Sequence, residues 1–106
     1  MSDILKQLEQ ILEQRKSENP ETSYVASLYS KGTDAILKKI GEEATETVIA
    51  VKEGVRTNII HETADLLFHT LVMLKHQGIE FDDVLLELQR RFGTSGLVEK
   101  ASRKGK

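Results

Sequence analysis

Carboxylates are the residues here whose spacing points to chemistry. Glu42, Glu43 and Glu46 fall within about one helical turn, and Glu62 and Asp65 follow, three positions apart. Taking Ile40 and Leu66 as the zeros of two helices advancing about 100° per residue, Glu43 stands at about −60°, Glu46 at about −120°, Glu62 at about −40° and Asp65 at about −100°. Glu43 and Glu62 thus border the apolar sectors of their helices, whereas Glu42 points most toward solvent. A carboxylate turned toward a core is costly unless paired or metal-bound, and like charges on one helix face repel. No basic residue on the second helix neutralises the group at that level. A divalent cation does, and clustered carboxylate oxygens suit magnesium, manganese or calcium better than zinc. Magnesium keeps open positions for water or phosphate oxygens, so the pattern points to phosphate chemistry. Lys39, four residues before Glu43, lies on the acidic side, as an ion-pair partner or a phosphate contact. His69 lies on the acid side of the second helix as a supporting residue. His61 and His76 read as surface histidines.

Two helices must position these acids. Residues 33–53 carry the stripe Ile36, Ile40, Ala44, Val48 and Val51, with Thr33 as N-cap and Gly54 as terminator. Residues 58–77 follow a short break, with Asn58 as N-cap. Folding the chain about residue 56 sets Glu46 level with Leu66 and Glu43 level with His69. Three further helices are expected: 2–17, capped by Ser2 and carrying Ile4, Leu5, Leu8, Ile11 and Leu12; 22–31, after Asn19-Pro20 and before Gly32; and 81–92, before Gly93. The fold class is all-α, a bundle of about five helices. The fourth helix is apolar almost all round through Leu66, Leu67, Phe68, Leu71, Val72, Met73 and Leu74. Such a helix needs cover on every side, which predicts a homodimer with a shared core.

With 106 residues the chain is one domain, 1–106. Cysteine is absent and net charge is −2, which excludes a disulfide scaffold and argues against a nucleic-acid binder. The tail, residues 100–106, holds Lys100, Arg103, Lys104 and Lys106 and reads as a solvated terminus. There is no signal-peptide pattern and no apolar run long enough to span a bilayer, and the absence of cysteine fits a cytoplasmic location.

The run Lys38-Lys39-Ile40-Gly41-Glu42-Glu43-Ala44-Thr45-Glu46, then Glu62-Thr63-Ala64-Asp65-Leu66-Leu67-Phe68-His69, resembles the EExxE…ExxD signature of the MazG-like all-α nucleotide pyrophosphohydrolases. Within them it most resembles the phosphoribosyl-ATP pyrophosphohydrolase family, with Ser23-Tyr24, Lys31-Gly32 and Gly41 as further matches. Phe68 departs from the tyrosine common there. The resemblance implies hydrolysis of the α–β anhydride of 1-(5-phosphoribosyl)-ATP to 1-(5-phosphoribosyl)-AMP and pyrophosphate, the second step of L-histidine biosynthesis. It implies Mg2+, with Mn2+ as a substitute, and ligands among Glu42, Glu43, Glu46, Glu62 and Asp65. It also implies a dimer or a higher oligomer built on one, and the stand-alone form of an activity elsewhere fused to a cyclohydrolase. Glu43, partly desolvated, is the expected proton acceptor from water; Lys31 and Lys39 are the expected phosphate contacts. The competing readings are a house-cleaning (d)NTP pyrophosphohydrolase with the same acids, and a non-enzymatic dimeric helical module.

Overall fold

The computed structural model describes residues 2–92. The Ser2 side chain, the Gly93 stop and the tail 100–106 lie outside what is described. Five α-helices are present among the described residues: α1 (Ser2–Gln14), α2 (Tyr24–Lys31), α3 (Thr33–Glu53), α4 (Arg56–His76) and α5 (Phe81–Arg90). A 3-10 turn, Arg15–Ser17, finishes α1; its Ser17 hydroxyl donates to the Gln14 carbonyl, so the α-helix stops at residue 14 rather than 17. No strand occurs among the described residues. The all-α expectation holds.

Helix ends follow local chemistry. Ser23 accepts a hydrogen bond from Ala26 N–H at 3.1 Å and caps α2, which therefore starts at Tyr24 rather than residue 22. Gly54 closes α3 in the left-handed region at φ 81°, a conformation glycine adopts without Cβ strain. Two expected caps are corrected. Gly32 rather than Thr33 is the N-cap of α3, and Val55 rather than Asn58 that of α4, with no side-chain cap at either. The fourth helix therefore begins two residues early and the α3–α4 turn is shorter. Thr47 meets the Glu62 carbonyl at 3.2 Å, so Glu46 stands nearer Glu62 than the expected Leu66. The last helix ends at Arg90 rather than residue 92.

The core gathers Leu12, Val25, Leu28, Ile36, Val72, Leu74 and Phe81. It lies at the end of the α3–α4 hairpin where α3 begins and α4 finishes. The buried face of α3 runs Ile36, Glu43, Ala50, a seven-residue step suited to a helix packed along its partner. Val48 and Val51, expected in the core stripe, are exposed because the single chain puts nothing over the far end of the hairpin. Ile49, Val55, Ile60 and Leu67 are also open. The acids sit where the packed half of the hairpin gives way to the uncovered half.

A second polar cluster fastens the packed end. Lys75, only 4% exposed, pairs with Glu9 at 3.4 Å, Glu13 at 3.3 Å and Glu80 at 3.6 Å. Glu9 also accepts Phe81 N–H at 3.0 Å, so α1 satisfies a free donor at the start of α5. Burial works against the lysine's charge, but Glu13, Glu80 and Glu9 outweigh it and hold the Lys75 pKa above the ordinary value.

Candidate metal centre

Glu43, Glu46 and Glu62 bring one carboxylate oxygen each within 4.8 Å of one another, and His61, Glu62 and Asp65 form an overlapping group by the same measure. Glu62 is common to both. Glu43 and Glu46 come from α3, the others from α4, and antiparallel packing of the two helices makes the meeting possible. Thr47 locks that register: its hydroxyl reaches the Glu43 carbonyl at 2.8 Å and the Glu62 carbonyl at 3.2 Å, tying the helices together beside the acids.

The electrostatics of the cluster are those of carboxylates left short of partners. Glu43 is 5% exposed. Its Oε2 and the Oε2 of Glu62 are both shut off from solvent without a hydrogen-bond partner. Buried carboxylate oxygens are rarely left so. Burial, the neighbouring Glu46 carboxylate and the charge of Glu43 push the Glu62 pKa up; His61 pulls the other way. A divalent ion among these oxygens would satisfy both orphans and remove the repulsion, so the donor set fits a hard cation.

Lys39 lies 3.5 Å from Glu43 Oε1 and 3.6 Å from Glu42 Oε1, which leaves Glu43 Oε2 facing the cluster. The Tyr24 phenolate that forms at high pH, together with Glu43 and Glu42, keeps the Lys39 proton above the ordinary lysine range, against desolvation. Glu42 belongs to neither acidic group; its side chain is 47% exposed, as its helical angle predicts. Lys31 is exposed in the last turn of α2, and no hydrogen bond or ion pair among the described residues ties it to the acids.

His69 is buried and uses both ring nitrogens. Nδ1 lies 2.8 Å from the Asp65 carbonyl and Nε2 2.7 Å from the Tyr24 hydroxyl. A carbonyl only accepts, so Nδ1 carries the proton and Tyr24 donates to Nε2 in the neutral ring. The imidazole braces the turn holding Asp65 and fixes Tyr24 over the site. Two partners escaped the sequence reading. His61, exposed as expected, reaches Asp65 at 3.3 Å, and its i,i+4 spacing was the available signal. Tyr24 carried no spacing signal, because α2 brings it to His69 from a distant part of the chain; its only signal was the Ser23-Tyr24 match to the family. His76 stacks on Tyr29 at 5.9 Å, away from the acids.

The family model described as phosphoribosyl-ATP pyrophosphohydrolase matches residues 5–92. The phosphoribosyl-ATP pyrophosphatase of Methylococcus capsulatus is 66% identical over 102 residues, covering 96% of this chain and 97% of its own length. That of Hydrogenovibrio crunogenus is 60% identical over 106 residues, with 96% and 94% covered. That of Geobacter sulfurreducens is 60% identical over 101 residues, with 95% and 94% covered. The matched region contains all five acids, Lys39, Tyr24 and His69, and with that likeness spanning the whole site the chain belongs to the phosphoribosyl-ATP pyrophosphohydrolase family.

Proposed function

We propose that the chain hydrolyses 1-(5-phosphoribosyl)-ATP to 1-(5-phosphoribosyl)-AMP and pyrophosphate in L-histidine biosynthesis, with Mg2+ held by Glu43, Glu46, Glu62 and Asp65. Family membership supplies the reaction. The paired orphan oxygens of Glu43 and Glu62 are the observation that supports the metal. When bound, the ion neutralises charge on the phosphate oxygens and makes a coordinated water more acidic; Mn2+, with the same preference for oxygen ligands, substitutes.

The chain's own residues do the rest. The water's oxygen bonds to phosphorus as the α–β anhydride bond breaks and pyrophosphate departs. Glu43 takes the proton released by the water on the oxygen beside Lys39, its other oxygen being the one left for the ion, and Lys39 offers a positive charge to the phosphates. Asp65 is kept in position by the His69 hydrogen bond, and Glu42 stands outside as a second partner for Lys39. Lys31 approaches the phosphates only if the substrate extends past α2. The active unit is a cytoplasmic homodimer, in which the second copy covers the apolar faces of α3 and α4 and deepens an otherwise open site. Its substrate is a small nucleotide rather than a nucleic acid. Among the described residues no helix is long and apolar enough to cross a membrane.

Pyrophosphate release from phosphoribosyl-ATP and from a panel of NTPs and dNTPs tests this reading. Strong preference for phosphoribosyl-ATP, abolished by EDTA and restored by Mg2+, is expected. Preference for a dNTP favours the house-cleaning alternative, and absence of any metal-dependent turnover favours the non-enzymatic one. Glu43→Gln is expected to lower kcat by about a hundredfold or more at saturating Mg2+, as loss of a general base does; near-normal turnover removes Glu43 from that role.

A further inference from the structure

The acids mark where the anhydride sits but not where the ring and second sugar of the substrate go. Two hollows touch the acids directly. One, walled by Glu46, Ile49, Glu53 and Glu62, adds another carboxylate and offers no ring or cation. The other rests on α3 alone, over Lys38, Glu42, Thr45 and Glu46, and has no aromatic ring in its wall. A third hollow of about 360 Å3 has Tyr24 and Phe68 in its wall, with Arg15, Glu18 and Thr22 around it. Tyr24 is shared between this hollow and the metal centre. Its hydroxyl is fixed by His69, and burial with the charges of Lys39, Glu43, Asp65 and Glu42 acts on its phenol.

Tyr24 is unusual in being both half-exposed, at 52%, and immobilised. Ser23 caps its helix, the His69 bond fixes the hydroxyl, and the two rings meet edge to face at 5.8 Å and 84°. An aromatic face that the fold holds rigid but does not bury is pre-organised for a planar ligand, since little side-chain freedom is lost on binding. Bases stack on such faces. Across the hollow, Arg15 makes a 2.6 Å ion pair with Glu18 through one nitrogen, and its side chain is 40% exposed. That leaves further donors of its planar fork for a phosphate. The order acids, Tyr24, hollow, Arg15 therefore matches a substrate with phosphates at one end, a purine between, and a lone phosphoribosyl group at the other.

We propose that the hollow between the 3-10 turn, α2 and Phe68 is the subsite for the substrate's purine ring, with Tyr24 as its stacking wall and Arg15 as the contact for the phosphate on the second ribose. The assignment rests on the chain acting on phosphoribosyl-ATP and adds the residues that select it over a nucleotide with a single phosphorylated end. Steady-state kinetics on Tyr24→Leu, Tyr24→Phe and Arg15→Gln test it, with ATP as the competing substrate. Tyr24→Leu is expected to raise KM for phosphoribosyl-ATP by about tenfold, the scale of a lost base–aromatic stack, with kcat changed by less than about twofold. Tyr24→Phe keeps the ring but loses the His69 bond, so its KM rises by clearly less than that of Tyr24→Leu. Arg15→Gln lowers kcat/KM for phosphoribosyl-ATP by about tenfold and leaves ATP unaffected, as expected for one charge-assisted contact. An unchanged KM in Tyr24→Leu, loss in Tyr24→Phe equal to that in Tyr24→Leu, or equal loss for both substrates in Arg15→Gln overturns it. A direct probe separates this from the activity itself. The chain has two tyrosines and no tryptophan, so NMR of the ring protons during titration with AMP reports on Tyr24 without turnover. Shifts at Tyr24 support the subsite even if phosphoribosyl-ATP proves not to be the substrate; AMP binding that leaves Tyr24 unmoved refutes it.

Discussion

Glu62 is shared by both acidic groups of the cluster. Its pKa is raised by burial first and then by Glu46 and Glu43, so the folded chain holds this proton more tightly than the unfolded chain does. Folding stability from that excess affinity is complete below the ordinary glutamate value of 4.5 and is lost as pH rises through the raised value. Glu62→Gln removes the charge. Metal-free, the variant is expected to melt above the wild type at neutral pH, with the gap closing as pH falls below 4.5. Saturating Mg2+ reverses the order, because only the wild type gains a ligand-bound state. Thermal melts across pH, with EDTA or Mg2+, check both signs. Much of this centre was legible in the sequence, since helical angles turn Glu43 and Glu62 toward the apolar sectors and Glu42 away. What the angles lacked was the third dimension: Tyr24 reaches His69 only through the path of α2, and no spacing within one helix announces that.

Helices and their joints form the next scale. Gly54 sits at φ 81° with open space around its Cα, so Gly54→Ala meets backbone strain and no clash. It is expected to cost about 1 kcal/mol, read as a lower Tm with activity per folded molecule unchanged. Lys75 fastens α1, α4 and the start of α5. Lys75→Ala leaves three acids without their cation and is expected to destabilise by about 3 kcal/mol, the low end for a broken buried pair because Glu13 and Glu80 remain in water; denaturant unfolding measures it. The lysine's contribution persists until pH rises through its elevated pKa. That of Glu9, whose pKa the Phe81 N–H, Glu80 and Lys75 hold down despite burial, is lost only as pH falls below the ordinary glutamate range. The body of each helix was readable from its 3.6-residue pattern. The starts of α3 and α4 were not, because Thr33 and Asn58 have the chemistry of caps while Gly32 and Val55 occupy the positions. That displacement moved the facing register along the hairpin.

Across the whole molecule, the chain is more open than its length requires. Its radius of gyration is 16.2 Å, against about 13 Å for a compact chain of 100 residues. A hollow of about 590 Å3 between α1, α4 and α5 is lined by Leu5, Leu67, Leu71, Leu85 and others, and Ile60 and Val48 add apolar surface at the far end of the hairpin. Surface of this kind marks an interface, in keeping with the homodimer proposed above. Sedimentation is expected to return twice the 11.9 kDa chain mass, and Leu67→Asp is expected to yield monomers with reduced turnover. A helix apolar on all sides carried that expectation in the sequence; which faces pair did not follow, because several are exposed. The claim on which everything else depends is that the orphaned carboxylates hold a divalent ion. Crystals soaked in Mn2+ and measured for anomalous scattering test it most directly. A peak within coordination distance of Glu43, Glu46 and Glu62, lost in Glu46→Gln, is expected. An empty cluster at saturating Mn2+, or a peak only elsewhere, such as beside Glu80, contradicts it.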